Sequence, residues 1–203
     1  MRASTREKLI QAALRNSGVF TAKDVELVGL SARELSRLRS TGDIICISRG
    51  VFQLADTNDY NSSTPDYAAI KTRVPEGVIC LISALYHHEL TTEIPRKIHL
   101  AVHRHANVPR IDYPSVQIYR MSDKPFSAGV EQMKIGGMTM NIFSPEKTIA
   151  DCFKYRDKLG LDLAIEGLKK YLSSKKARPT AIMKMAEVCR VSKIIKPYME
   201  ALL

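Results

Sequence analysis

The sequence predicts an α+β protein, with an N-terminal winged helix-turn-helix followed by a mixed α/β domain whose C-terminal part is helical. Three observations predict it. Residues 1–55 parse into short capped helices and a hairpin. Residues 56–65, DTNDYNSSTP, are polar and turn-rich and read as a linker. Beyond them, strand-like and helix-like runs alternate until Ser144, after which only helical patterns remain. The expected domains are therefore 1–55 and 66–203.

The first helix is expected to begin at Ser4, whose hydroxyl can cap while Glu7 reaches back in a capping box. Leu9, Ile10, Ala13 and Leu14 then form an apolar face, and Asn16-Ser17-Gly18 stops the helix. Thr21 caps the second helix, with Asp24 near its positive end. Phe20 and Val25 fall at the positions of a hydrophobic staple, and Gly29 terminates it. The third helix repeats the device with Ser31 and Glu34 as the box and Leu30 and Leu35 as the staple.

At about 100° per residue, Ala32, Leu35 and Leu38 share the face that must pack inward. Arg33, Ser36, Arg37 and Ser40 form the opposite row, and Arg39 sits on its flank within reach of a phosphate. Such a row suits base edges and phosphates. After Gly42, DIICIS and VFQLA are strand-like runs around Ser48-Arg49-Gly50, a tight turn with Arg49 at its tip. Helix, helix, hairpin in this order is a winged helix-turn-helix, and the helix after Ser31 reads as its DNA-reading element. A solvated helix on a protein-docking module is the plainer alternative.

In the second domain, DYAAIKTRV reads as a helix, GVICLI as a buried strand, and SALYHHELT as a helix capped by Ser83. KIHLAVHRH and SVQIYRMS read as strands, while VEQMKI and MTMNIF flank the hairpin signal Gly136-Gly137. Ser144 caps a helix with Pro145 in first position that runs to Leu159, before Gly160. Three further helices are expected around 161–174, 179–190 and 192–202.

The net charge of +10 is uneven. Residues 1–55 hold nine Lys and Arg against five acids, 56–153 hold ten against eleven, and 154–203 hold twelve against five. Basic ends on a neutral middle are the footprint of a polyanion partner, though a solvated lysine surface is also compatible. The stretch LKKYLSSKKARP, with Lys169, Lys170, Lys175 and Lys176, reads as an inter-helix loop that is either solvated or a second polyanion contact. There is no run of about 18 apolar residues, and the N-terminus lacks the apolar stretch of a secretory signal. Cys46, Cys80, Cys152 and Cys189 are widely spaced and read as small buried hydrophobes of a reducing cytoplasm.

Other chemistries find little support. His99, His103 and His105 would share one strand face opposite Ile98, Leu100 and Val102, yet no acid or cysteine lies nearby at ligand spacing. A partly exposed strand face is the better reading, and adjacent His87 and His88 diverge on a helix and read as structural. No nucleophile elbow, phosphate-binding glycine loop or nucleotidyl-transfer signature is present. Glu146 and Asp151 lie on one helix at different azimuths and read as surface ions. The chain is expected to be a non-enzyme without a cofactor or metal.

The sequence resembles the AbiEi-type antitoxins of bacterial type IV toxin–antitoxin systems. FTAKDVELVGLSARELSRLRSTGDIICISRGVFQLA is similar to that family's winged helix, although many regulators share this element. The resemblance continues through PEGVICLISALYHHELT, IHLAV and FSPEKTIADCFKYRDKLGLDLAIEGLKKYL, and ends at KPYMEAL. SPEKTIADCFKYRDKLG, which contains Asp151, Tyr155 and Arg156, is its more specific part. The resemblance implies an autorepressor that binds inverted repeats in its own promoter through Arg33, Ser36, Arg37, Ser40 and wing residue Arg49. It implies a C-terminal domain that counters a nucleotidyltransferase toxin, without requiring a stable complex, and further basic residues that assist DNA contact. Two other readings stand beside it: a repressor whose second domain binds a small effector, and a protein-interaction module.

Overall fold

Capping and glycine geometry set the limits of the first helices. The computed structural model describes residues 1–14, 18–55, 64–135 and 138–203. Helix α1 (Ala3–Leu14) starts earlier than expected, because the Arg6 N–H already donates to the Arg2 carbonyl at 3.0 Å. Ser4 therefore lies inside the first turn and is not its cap. Thr5, Leu9, Ala12 and Ala13 face inward, whereas Leu14, expected on the apolar face, is 76% exposed. The expected stop at Asn16 and Ser17 lies outside the described residues.

Strand β1 (Val19–Thr21) leads into α2 (Ala22–Leu27), where Thr21 and Asp24 form a reciprocal capping box. Gly29, at φ +73°, closes α2: its N–H reaches Glu26 C=O at 2.9 Å, and the Leu30 N–H reaches Val25 C=O at 3.0 Å. This is a Schellman motif, for which a residue free to take positive φ is required. Leu30 and Val25 meet in the same core cluster, as the motif's hydrophobic contact demands. Helix α3 (Ala32–Ser40) follows α2 after four residues, then β2 (Ile44–Ser48) and β3 (Val51–Leu54). The three strands pair antiparallel in the order β1-β3-β2. Leu9, Phe20, Val25, Leu35, Leu38, Ile44 and Phe52 fill the space between helices and sheet. Cys46 points outward on β2 and is exposed, unlike the three other cysteines, so burial holds for those three alone.

Most of the expected linker, residues 56–63, lies outside the described residues. Its last two residues, Thr64 and Pro65, open α4 (Thr64–Arg73). Ala68 and Ala69 of this helix pack with Val19 and Val51, so α4 completes the winged helix and does not begin the next domain. The chain accordingly divides into one unit of residues 1–75, 108–115 and 134–140 and a second of 76–107, 116–133 and 141–203.

A five-stranded sheet has the order β6 (Val116–Met121), β5 (Ile98–His103), β4 (Val78–Ile79), β8 (Met138–Phe143), β7 (Val130–Ile135). All of it but the residues within 134–140 belongs to the second unit. The apolar run expected as one strand splits into β4 (Val78–Ile79) and α5 (Leu81–His87). Helix α5 starts at Leu81, whose φ is +48°, with Cys80 at the N-cap. Ser83 is not the cap: its hydroxyl is buried and accepts the His99 N–H at 2.9 Å. β5 (Ile98–His103) runs antiparallel to β4 and parallel to β6 (Val116–Met121), in register from Ile98 opposite Val116. A short helix α6 (Asp123–Ser127) follows that the sequence pattern does not announce. β7 (Val130–Ile135) and β8 (Met138–Phe143) are neighbours in the sheet, while the Gly136-Gly137 turn expected between them lies outside the described residues.

Ser144 caps α7 (Pro145–Lys154), accepting the Lys147 N–H at 3.3 Å, with Pro145 in first position as expected. Tyr155 interrupts the helix before α8 (Arg156–Leu159). Helices α9 (Leu161–Leu172), α10 (Pro179–Cys189) and α11 (Ser192–Leu202) occupy the expected segments. Ile149, Ala150 and Phe153 of α7 form the middle of the core with Leu85, Leu168, Ala186 and Ile195. Among the described residues no helix is long and apolar enough to cross a membrane.

Candidate nucleic-acid interface

Two leucines orient α3. Leu35 and Leu38 are buried, which turns Arg33, Ser36, Arg37 and Ser40 to solvent together with Arg39. Ala32, expected on the inward face, is exposed, because the first turn of α3 projects beyond the core that Leu35 anchors. The acids near this row are engaged elsewhere. Glu34 turns back to the N-terminus of α3, accepting the Ser31 N–H and hydroxyl, each at 2.9 Å. Those bonds hold its carboxyl below the usual range. Asp43 accepts the Thr41 hydroxyl at 2.6 Å and lies 3.5 Å from the N-terminal amine. Among the described residues no ion pair joins Arg33, Arg37, Arg39 or Arg49 to a carboxylate. The face is thus a row of guanidinium groups with no ion-pair partner among the described residues, on a helix fixed at both ends, although the charge of Arg37 also acts on Glu34 and Asp43.

Ser40 is partly committed. Its hydroxyl donates to the Arg37 carbonyl at 2.8 Å. While that bond stands, Ser40 can only accept, and phosphate oxygens cannot donate to it.

The wing presents Arg49 beside Gly50, which takes φ +79°. A register shift between Cys46 and Ser48 bends the strand before the tip. Arg73 fixes this tip from α4: one guanidinium nitrogen donates to the Arg49 carbonyl at 2.5 Å and another to the Arg110 carbonyl at 2.8 Å. Arg73 is a positioning residue that the sequence did not reveal, since its partners lie 24 and 37 residues away.

The basic stretch of the second unit is only half a loop. Lys169 and Lys170 occupy the last turn of α9, where their charge suits the helix dipole. Lys170 pairs with Glu166 at 2.9 Å, whereas Lys169, Lys175 and Lys176 are exposed. Nothing in these contacts assigns the four lysines a ligand.

The histidine strand face differs from expectation. His99 is buried and stacked on Tyr119, with ring centroids 5.5 Å apart. Its strand is covered on both sides, so alternation does not expose it. His103 pairs with Asp123, and His105 lies beyond the end of β5. His88 Nε2 lies 2.7 Å from the Phe143 carbonyl oxygen. Among the described residues no group of three or more His, Cys, Asp or Glu is placed to hold a metal.

The reading of Glu146 and Asp151 as surface ions is overturned, since both are buried, as is Lys147 between them. Glu146 accepts the Tyr171 hydroxyl at 2.5 Å and two Arg178 N–H groups at 2.6 and 3.0 Å. Burial alone would raise its carboxyl, but these bonds outweigh it and hold the group below its ordinary value. Lys147 donates to Asp151 and lies 4.0 Å from the Phe143 ring centroid. The Cys189 thiol donates to the other Asp151 oxygen at 3.2 Å, and burial first, then that carboxylate, push it up to about 12. A thiol so disposed is inert as a nucleophile.

Residues 7–55 match the AbiEi antitoxins. The matching family model describes AbiEi antitoxin transcriptional regulators, and it spans the capped helices, the arginine row and the wing. The resemblance read from the sequence is thereby borne out over residues 7–55. No curated protein matches the chain. Among solved structures, it is similar to the crystal structure of the RV2827C protein from Mycobacterium tuberculosis. That similarity has a TM-score of 0.52 at 14% identity, covering all of this chain and 82% of that one. At such identity the likeness concerns the fold alone, and it covers the whole chain.

Proposed function

We propose that this chain is the antitoxin and transcriptional autorepressor of a type IV toxin–antitoxin operon. Its winged helix reads inverted repeats in its own promoter, and its second unit counters a nucleotidyltransferase toxin without requiring a stable complex. One observation carries this reading: the unpaired arginine row on a capped α3, beside an arginine-tipped wing, inside the segment that matches the AbiEi regulators. In this reading Arg33 and Arg37 address base edges, where a guanidinium can donate two bonds to guanine. Ser36 joins them, and Ser40 accepts from a base amino group. Arg39 and Arg49 hold phosphates, with Lys169, Lys175 and Lys176 as a second contact and Lys170 weaker because Glu166 holds it. An inverted repeat is read by two copies, one on each half-site.

Affinity for the upstream DNA tests it directly. Arg37→Ala is expected to cost about 1–3 kcal/mol on the operator and much less on random duplex. Equal weakening on both would reassign Arg37 to a phosphate, and no weakening on either would remove α3 from the interface.

A further inference from the structure

The second unit contains a polar pocket of about 440 Å³, within the size of small-molecule sites. Four cations from four separate pieces of chain line it: Arg104 just past β5, Lys124 in α6, Lys154 at the end of α7, and Arg190. Arg190 follows α10 in the left-handed conformation, at φ +61°. One carboxylate, Glu187, shares the wall, so the described lining has an excess of three positive charges. Among the described residues none of the four cations is ion-paired. Asp123, the acid on α6, accepts from His103 and its charge also acts on Arg104, but it does not line the pocket. The turn that carries Arg104 is itself braced, since Arg120 donates to the Arg104 and Ala106 carbonyls at 3.0 and 2.9 Å.

All four cations are exposed, yet they ring one concavity, where their fields add. A monovalent anion leaves most of that excess in place. A duplex presents a convex backbone, which matches an open groove better than a pocket. Among the described residues no aromatic ring lines the wall to hold a base. We infer that this pocket binds a compact polyphosphate group, as carried by a nucleoside triphosphate or by free inorganic polyphosphate. The α3 and wing residues do not line it, so this inference and the operator reading can fail separately.

The test is calorimetric titration of the full-length chain with inorganic tripolyphosphate, ATP and a short duplex, in magnesium-free buffer. One saturable site for tripolyphosphate is expected. Lys154→Glu with Arg190→Glu should weaken it at least tenfold. Lys158→Glu with Lys193→Glu, an equal charge change outside the pocket, should leave it within about threefold, as expected for screened distant charges. If the first pair melts early, Arg104→Gln alone, an exposed change, should still weaken binding several-fold. Equal affinity for ATP and tripolyphosphate makes the phosphate chain the whole determinant, while tighter ATP binding identifies a nucleotide as the source. The inference is overturned if neither small probe saturates, if both charge-reversed pairs weaken alike, or if only the duplex responds to the pocket variants.

Discussion

The ring of His99 is buried beside Tyr119, with no hydrogen-bond partner for Nδ1 among the described residues. Burial first, and then the charge of Lys97, lower its pKa from 6.5 to about 4. The unfolded chain therefore takes up that proton before the folded one does. Stability from neutral His99 is complete above pH 6.5 and is lost as pH falls toward 4, by on the order of 2–3 kcal/mol. His99→Phe keeps a ring on Tyr119 and should remove that slope in urea melts across this range. A retained slope would place the titrating group elsewhere. Glu146 acts in a lower window. Its folded value lies below 4.5, so its contribution is present above 4.5 and lost as pH falls from there. Glu146→Gln should flatten the acid limb below 4.5 while leaving the limb that His99 governs unchanged.

At the scale of elements, the basic end of α9 divides its lysines. Glu166 holds Lys170 and also accepts from Thr91 and Thr92, whereas Lys169, Lys175 and Lys176 have no ion-pair partner among the described residues. If these three lysines touch DNA, neutralising them should lower the log-affinity against log-salt slope by roughly one for each phosphate they had neutralised, and Lys170→Gln should change it least. An unchanged slope leaves the stretch solvated. The elements most legible in the sequence are those set by signals a few residues apart. The Thr21 and Ser31 boxes, their staples and Gly29 are all local, and each falls where the pattern put it. What stayed hidden depends on distant partners. Lys147 and Asp151 form an i,i+4 pair that reads the same on a surface as in a core. Tertiary packing buries it, with Phe143 of β8 against Lys147 and Cys189 of α10 against Asp151. GVICLI divides into strand and helix at Cys80 because a fully buried apolar run carries no periodicity to separate the two. The arginine row was legible as an exposed face, but the anchoring of the wing by Arg73 was not.

For the whole molecule, the division into units changes which fragments can carry the proposed activities. A cut within 56–65 would strip α4 from the first unit, leaving Val19 and Val51 uncovered and Ala68 and Ala69 on the wrong piece. A cut after Pro75 keeps α4 with its sheet and preserves the Arg73 bond to the wing carbonyl. The segment 76–203 retains every residue of the large core cluster, since that cluster runs from Val78 to Met199 and uses none of 108–115 or 134–140. It should therefore melt cooperatively by itself, whereas 1–58 is small enough to be marginal at best. If neutralisation resides in the second unit, 76–203 should rescue growth against a cognate toxin expressed from an unrelated promoter. The same fragment should lose repression of a native promoter–reporter, because α3 and the wing are absent. The fragment 1–75 should bind operator DNA more weakly than the full chain and rescue nothing. Growth rescue and the reporter, run in parallel with a melt of each fragment, separate the outcomes. A folded 76–203 that fails to rescue while the full chain succeeds would show that neutralisation needs the winged helix. The second unit would then be a support for DNA binding, with repression of the toxin's own operon as the source of protection.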